Sequence, residues 1–224
     1  MHELELRSIV GEVRALEEED ARFIVGYGIV FNQWSADLGF REIIRPGAEE
    51  GALAEDLLVA GNHDFNFLLG SRAADTAEFH VDENGVSYRV RINDDDPLAL
   101  SMYHKVKRGD VRGSSFQFYV AKDGDKWTIE GDEMTREITK FGDIIEMGPV
   151  TRPAYPQTSA VARSIVSAFA EVRSGSVTHE ARSLLEGVGI DLDAIRASAG
   201  GAPADDDAAR AGRERKRRRL SLYR

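Results

Sequence analysis

From Phe23 to Phe31 every second residue is apolar: Phe23, Val25, Tyr27, Ile29 and Phe31. A period of two puts one row of side chains on one face, the pattern of a half-buried strand, here over 22–31. A first strand is expected over 4–16, set off by the acidic run Glu17-Glu18-Glu19-Asp20. Strands over 75–81 and 86–92 flank Asp82-Glu83-Asn84-Gly85, and Asn-Gly is hairpin chemistry because both residues tolerate positive φ. Phe116, Phe118 and Val120 alternate with Gln117 and Tyr119, which predicts a strand over 115–121. Lys122-Asp123-Gly124-Asp125 then turns the chain, and strands follow over 126–131, 135–141 and 144–150.

Helical patterning is confined to a few segments. Pro46-Gly47 breaks the chain ahead of a short helical stretch over 48–58, followed by Gly61 and a polar loop. Asp96-Pro97 reads as a capped helix start, with a run to Arg108 and a stop at Gly109. Its apolar stripe is Ala99, Met102, Tyr103 and Val106. Beyond Pro156 two more helices are expected, over 160–173 and 178–187. Residues 197–209 hold too little apolar area to order themselves and lead into a basic terminus. Three regions result: a β-rich domain over 1–165, a helical extension over 166–196, and a flexible linker and basic tail over 197–224.

Composition narrows the class. With 224 residues, 42% of them hydrophobic, the chain can bury one sizeable core. It has no cysteine, which excludes disulfides and thiol nucleophiles and leaves any zinc site to histidines and carboxylates. No apolar stretch approaches a membrane span, and Met-His-Glu-Leu-Glu-Leu lacks the pattern of a signal peptide. The expectation is a soluble intracellular protein. From Arg210 to Arg224 eight basic residues face one acid, a net of +7, which leaves −17 for the rest of a chain totalling −10. Such a tail reads plainly as solvated and disordered, or more sharply as a docking or nucleic-acid-contacting element. The acidic body argues against nucleic acid as the main partner.

Two segments carry candidate chemistry: Asn62-His63-Asp64, in a polar loop, and Gly113-Ser114-Ser115-Phe116-Gln117-Phe118, opening an apolar strand. A histidine base and a strand-borne serine are the parts of a nucleophilic hydrolase. Histidine ahead of serine rules out the Gly-x-Ser-x-Gly elbow, whose serine comes first and precedes a helix.

These segments belong to a longer series. Gly26-Tyr27-Gly28-Ile29-Val30-Phe31-Asn32, then Glu42-Ile43-Ile44-Arg45-Pro46-Gly47-Ala48, then the histidine and serine segments, then Glu146-Met147-Gly148-Pro149-Val150-Thr151-Arg152-Pro153-Ala154-Tyr155, together resemble the tailed-phage prohead protease family. The five segments run in order over about 22–158. The resemblance implies a mainly β fold with surrounding helices (α+β) and a β-barrel core like that of the herpesvirus maturation protease. It implies a serine endopeptidase inside the procapsid, in the host cytoplasm. Such an enzyme removes the scaffolding segment of the major capsid protein, or a separate scaffold, and commonly cleaves itself.

Ser115 is then the expected nucleophile, since it directly precedes the phenylalanine as in the family's Ser-Phe motif. Ser114 is its competitor, but alternation puts the two side chains on opposite faces. His63 is the expected general base. Glu146 is the expected carboxylate that orients it, with Asp143 and Asp64 as rivals; Asp64, adjacent on the loop, suits a backbone-fixing role better. The oxyanion donors could be backbone amides of a Gly113–Ser115 turn, or the Arg152 region. His80 and His104 read as ordinary surface residues, no histidine pair recurs at i, i+4, and neither metal nor cofactor is expected. The competing function is a non-catalytic capsid-assembly or scaffolding protein that keeps the fold. The tail is expected to hold the protein to an acidic scaffold or shell surface, with self-association possible and no membrane partner.

Overall fold

The computed structural model describes residues 3–10, 13–131, 133–152, 160–175, 177–192 and 195. The strands are β1 (Glu5–Val10), β2 (Val13–Glu18), β3 (Ala21–Val30), β4 (Arg41–Ile44), β5 (Leu58–Ala60), β6 (Leu68–Ser71), β7 (Ala77–Val81), β8 (Gly85–Arg91), β9 (Gly113–Val120), β10 (Asp125–Glu130), β11 (Glu133–Ile138) and β12 (Phe141–Val150). The helices are α1 (Pro97–Arg108), α2 (Ala160–Arg173) and α3 (His179–Gly187). No helix among the described residues is long and apolar enough to cross a membrane.

The strands form three mixed or antiparallel sheets, in the orders β1-β9-β12-β5-β6, β2-β3-β8-β7 and β10-β11-β4. An α+β fold results, but the expected barrel is corrected: no closed barrel exists among the described residues. The physical reason lies at the N-terminus. The strand expected over 4–16 is two strands, and they join different sheets, β1 on β9 and β2 on β3. The five-stranded sheet therefore ends at β1 and β6 instead of closing on the four-stranded one.

One core fills the space between those two sheets. Ile24, Val86, Tyr88 and Val90 come from one, Val59, Phe116, Phe118 and Met147 from the other, and Met102 and Tyr103 from α1. Burial of each large side chain contributes about 1.5–3 kcal/mol. A second cluster joins Phe40, Trp127 and Met134 to Ile165 and Phe169 of α2 and Leu185 of α3. Helix α2 runs through residue 165, where the sequence reading puts a boundary, and its apolar face covers the β10–β11 hairpin. The linker and tail over 197–224 lie outside the described residues.

Helix α1 follows its sequence signals: Asp96 accepts from the Leu98 amide at 2.8 Å, and Gly109 closes it with φ of 86°. The helix expected over 48–58 does not form. Gly47 and Gly51 take φ of 89° and 78°. Their left-handed geometry breaks the segment into isolated turns, such as Glu50 N–H to Gly47 O and Ala52 N–H to Glu49 O. Leu58 then begins β5.

Beneath β9 lies a buried ion cluster. Arg7 of β1 bonds Glu42 of β4 through Nε at 2.6 Å and Glu5 through Nη2 at 2.7 Å. Arg136 of β11 forks onto Glu5 at 2.8 and 2.9 Å, and also reaches Glu42 at 3.0 Å and Asp125 at 2.7 Å. Burial works against the Arg136 charge, but its carboxylate partners outweigh that and raise its pKa. Burial likewise opposes the Glu5 charge, and Arg136 and Arg7 hold its carboxyl below the usual range. The cluster ties β1 to the three-stranded sheet.

Removing one partner of such a cluster leaves uncompensated buried charge. Arg136→Ala is expected to cost about 3–5 kcal/mol in denaturant unfolding. Arg89→Ala, whose partner Glu18 is exposed, should leave the midpoint almost unchanged.

Candidate active site

His63 sits just past β5, on a loop whose backbone is unusual: Asn62 and His63 both take left-handed φ, 57° and 61°. Asparagine and histidine tolerate this better than most residues, and the surroundings hold it. The Asn62 amide donates to Pro149 O at 3.0 Å, and Asn62 Oδ1 accepts from the Thr151 amide at 2.7 Å. The histidine loop is thereby laced to the end of β12. Asp64 does not face the imidazole. Its Oδ1 caps a short 3₁₀ turn, Phe65–Phe67, by accepting from the Asn66 amide.

The carboxylate partner comes from β12. His63 Nδ1 lies 2.5 Å from Glu146 Oε1, and Glu146 is completely buried. Its orientation depends on an irregularity in the ladder. Ile144 pairs with Phe118 but Glu146 pairs with Gln117, so one extra residue, Ile145, is inserted between them. Strict alternation would put Glu146 on the same face as Ile144, in the core. The bulge turns it to the opposite face. Asp143, the other rival, pairs with Tyr119 and is half-buried.

Past the bulge the register is regular: Met147 opposes Phe116, Gly148 opposes Ser115, and Pro149 opposes Ser114. Directly opposed residues share a face. Ser115, Gln117, Glu146 and Gly148 therefore lie on one face, and Ser114, Phe116 and Met147 on the core face. Ser114 Oγ lies 3.3 Å from both Tyr88 OH and Gly148 O, inside the core. Of the two serines, Ser115 is the one on the face of the His63–Glu146 pair.

Gly148 has no room for a side chain. A Cβ there would lie 2.2 Å from Ala60 O. This close approach of β5 to β12 holds the histidine loop down on the sheet.

Ser115 Oγ donates to Arg7 O of β1 at 2.7 Å and accepts from Ser8 Oγ at 3.0 Å. His63 Nε2 is buried with no hydrogen-bond partner, and so is Glu146 Oε2. The Ser115 hydroxyl is thus turned to a backbone carbonyl and not to the imidazole. Burial pushes the Glu146 carboxyl above the ordinary range, with His63 partly offsetting that. The expected Gly113–Ser115 turn is part of β9, paired on both sides, so its amides occupy ladder positions. Arg152 is exposed just past β12. No cluster of metal-ligand type occurs among the described residues.

Ser8, Asn62 and Gly148 go beyond the sequence reading. Asn62 and Gly148 stood inside quoted motifs without a role, whereas Ser8 gives no local signal and is found only through the β1–β9 register.

An imidazole–carboxylate pair over the sheet face that bears a serine hydroxyl supplies the groups of a serine hydrolase. The model of the caudovirus prohead serine protease family matches residues 11–171, and the chain belongs to that family. It is a serine protease of phage capsid maturation. A solved structure of the bacteriophage T4 capsid assembly protease, gp21, is 13% identical, with 68% of this chain and 99% of that chain covered and a TM-score of 0.47. No curated protein matches the chain.

Glu146→Gln separates the charge from the shape. Because burial raises the folded-state pKa, ionisation of Glu146 costs stability as pH rises from the unfolded carboxyl value, near 4.3, through the raised one. The thermal midpoint of Glu146→Gln at pH 7–8 should thus be no lower than wild type, with any gain vanishing below about pH 4. Proteolytic rate should fall by roughly 10²- to 10⁴-fold, because the imidazolium loses its counter-charge.

Proposed function

We propose that Ser115, His63 and Glu146 form the catalytic triad of an endopeptidase that matures procapsids from within. Its substrates are the scaffolding segment of the major capsid protein, or a separate scaffold, and the chain itself. The observation that carries this reading is the His63 Nδ1–Glu146 Oε1 contact of 2.5 Å, on the sheet face that also bears Ser115.

The chemistry follows from which atoms are filled. Glu146 accepts from Nδ1–H, which fixes the tautomer whose Nε2 carries a lone pair. Ser115 turns its proton from Arg7 O to Nε2, and Oγ attacks the scissile carbonyl carbon. The carbonyl π electrons move to oxygen, and His63, now an imidazolium, is stabilised by the buried carboxylate. Collapse expels the amine, which takes the proton from Nε2. Water then enters by the same route and releases the acyl group. General base catalysis of this kind contributes about 10²–10⁴ in rate.

In this account the 210–224 tail docks the protease to an acidic scaffold or shell surface, and the 197–209 linker gives the core reach. The +7 charge of the tail against the acidic body supports that division.

Intact-mass analysis of the protein co-expressed with its capsid protein tests the function, with wild type beside Ser115→Ala. Wild type should shorten the capsid chain and itself, while Ser115→Ala leaves both whole. Equal cutting in both samples would remove Ser115 as nucleophile. No cutting within assembled shells would favour a shell-binding role.

A further inference from the structure

We propose that the Ser8 hydroxyl is a further catalytic group, donating a hydrogen bond to the Ser115 oxygen as that oxygen gains charge during attack. The proposal rests on Ser115 being the nucleophile. Ser8 lies on β1, ahead of the 11–171 segment that matches the family.

The direction of the bond is fixed by proton count. Each hydroxyl has one proton. That of Ser115 is directed to Arg7 O at 2.7 Å, so the proton in the 3.0 Å contact between the two serines belongs to Ser8. Ser8 is directly opposite Ser115 in the β1–β9 ladder. It is held there by the strand pairing and by the ion cluster, in which the neighbouring Arg7 side chain is fixed between Glu5 and Glu42. The donor is pre-oriented and needs no reorganisation when the reaction begins.

During attack the Ser115 O–H bond breaks, its proton goes to His63 Nε2, and the Oγ–carbon bond forms. The Ser8 proton stays on Ser8 throughout. The Ser8 O–H first meets a neutral oxygen, then one bearing partial negative charge, so its hydrogen bond strengthens toward the transition state. The site is secluded, with Ser115 fully buried, and a donor in low dielectric is worth more than one in water. The Ser8 hydroxyl is the side-chain donor in contact with the reacting oxygen.

The test uses the full chain and p-nitrophenyl acetate, an activated ester that needs no capsid substrate. Ser115→Ala gives the background. Ser8→Thr keeps the hydroxyl, and Ser8→Val keeps the shape of threonine without it; both β-branched side chains suit a strand. Ser8→Val and Ser8→Ala should lower kcat by about 10- to 100-fold at unchanged KM, as expected for a lost hydrogen bond to a charged oxygen. Ser8→Thr should run close to wild type, all variants should melt alike, and the acid limb of the pH–rate profile should not move. The proposal is overturned if Ser8→Val matches wild type, if Ser8→Thr is as slow as Ser8→Val, or if the loss tracks the thermal midpoint. Wild type no faster than Ser115→Ala would overturn the nucleophile assignment itself, and the Ser8 role with it.

Discussion

Ile145 is the residue on which the site turns. By adding one position to β12 between Ile144 and Glu146, it keeps Ile144 opposite Phe118 in the core and turns Glu146 to the other face of the sheet. A continuous ladder would put the carboxylate opposite Phe116 on the core face, on the wrong side of the sheet to reach His63. With the bulge, Glu146 meets His63 across the join between β12 and β5. The remaining requirements follow: β5 must approach β12 closely, which Gly148 permits, and the loop after β5 must double back, which the left-handed Asn62 and His63 allow.

The local electrostatics suit what a triad requires. Glu146 has no exposed atom, and its ionised form is tolerated because the imidazole lies against one of its oxygens. A buried carboxylate of this kind costs stability when charged and recovers that cost as the neighbouring imidazole takes up a proton. On the other side of the sheet, the cluster of Glu5, Arg7, Glu42 and Arg136 supplies rigidity. It anchors β1, and through β1 the Ser8 and Arg7 groups that bond the Ser115 hydroxyl.

Local signals were legible in the sequence wherever they were chemically complete. Helix α1 is readable because Asp96, Pro97 and Gly109 bracket it. β3, β8 and β9 are readable because apolar residues recur at every second place. The short strands β4, β5 and β6 are not, since three or four residues carry too little pattern to outweigh glycines and turns nearby. The 48–58 segment misleads for the opposite reason: its composition favours a helix, while two left-handed glycines forbid one. The motif residues could be named from the chain, but their meeting could not be read there. Alternation alone would have sent Glu146 inward, and only the slip in pairing at Ile145 reverses that. Ser8 and the ion cluster depend on β1 joining β9, a contact made across more than a hundred residues. Failure of the barrel to close has the same origin, in consecutive strands that part company.

The most direct measurement is to locate the adduct formed by a fluorophosphonate on the wild-type protein, by fragmenting the tryptic peptide spanning 113–122. Phosphonylation requires a serine whose proton an adjacent base can take. The account predicts a single adduct on Ser115, absent from His63→Ala and much reduced in Glu146→Gln. An adduct on Ser114, or labelling of Ser115 that persists at full rate without His63, would contradict it.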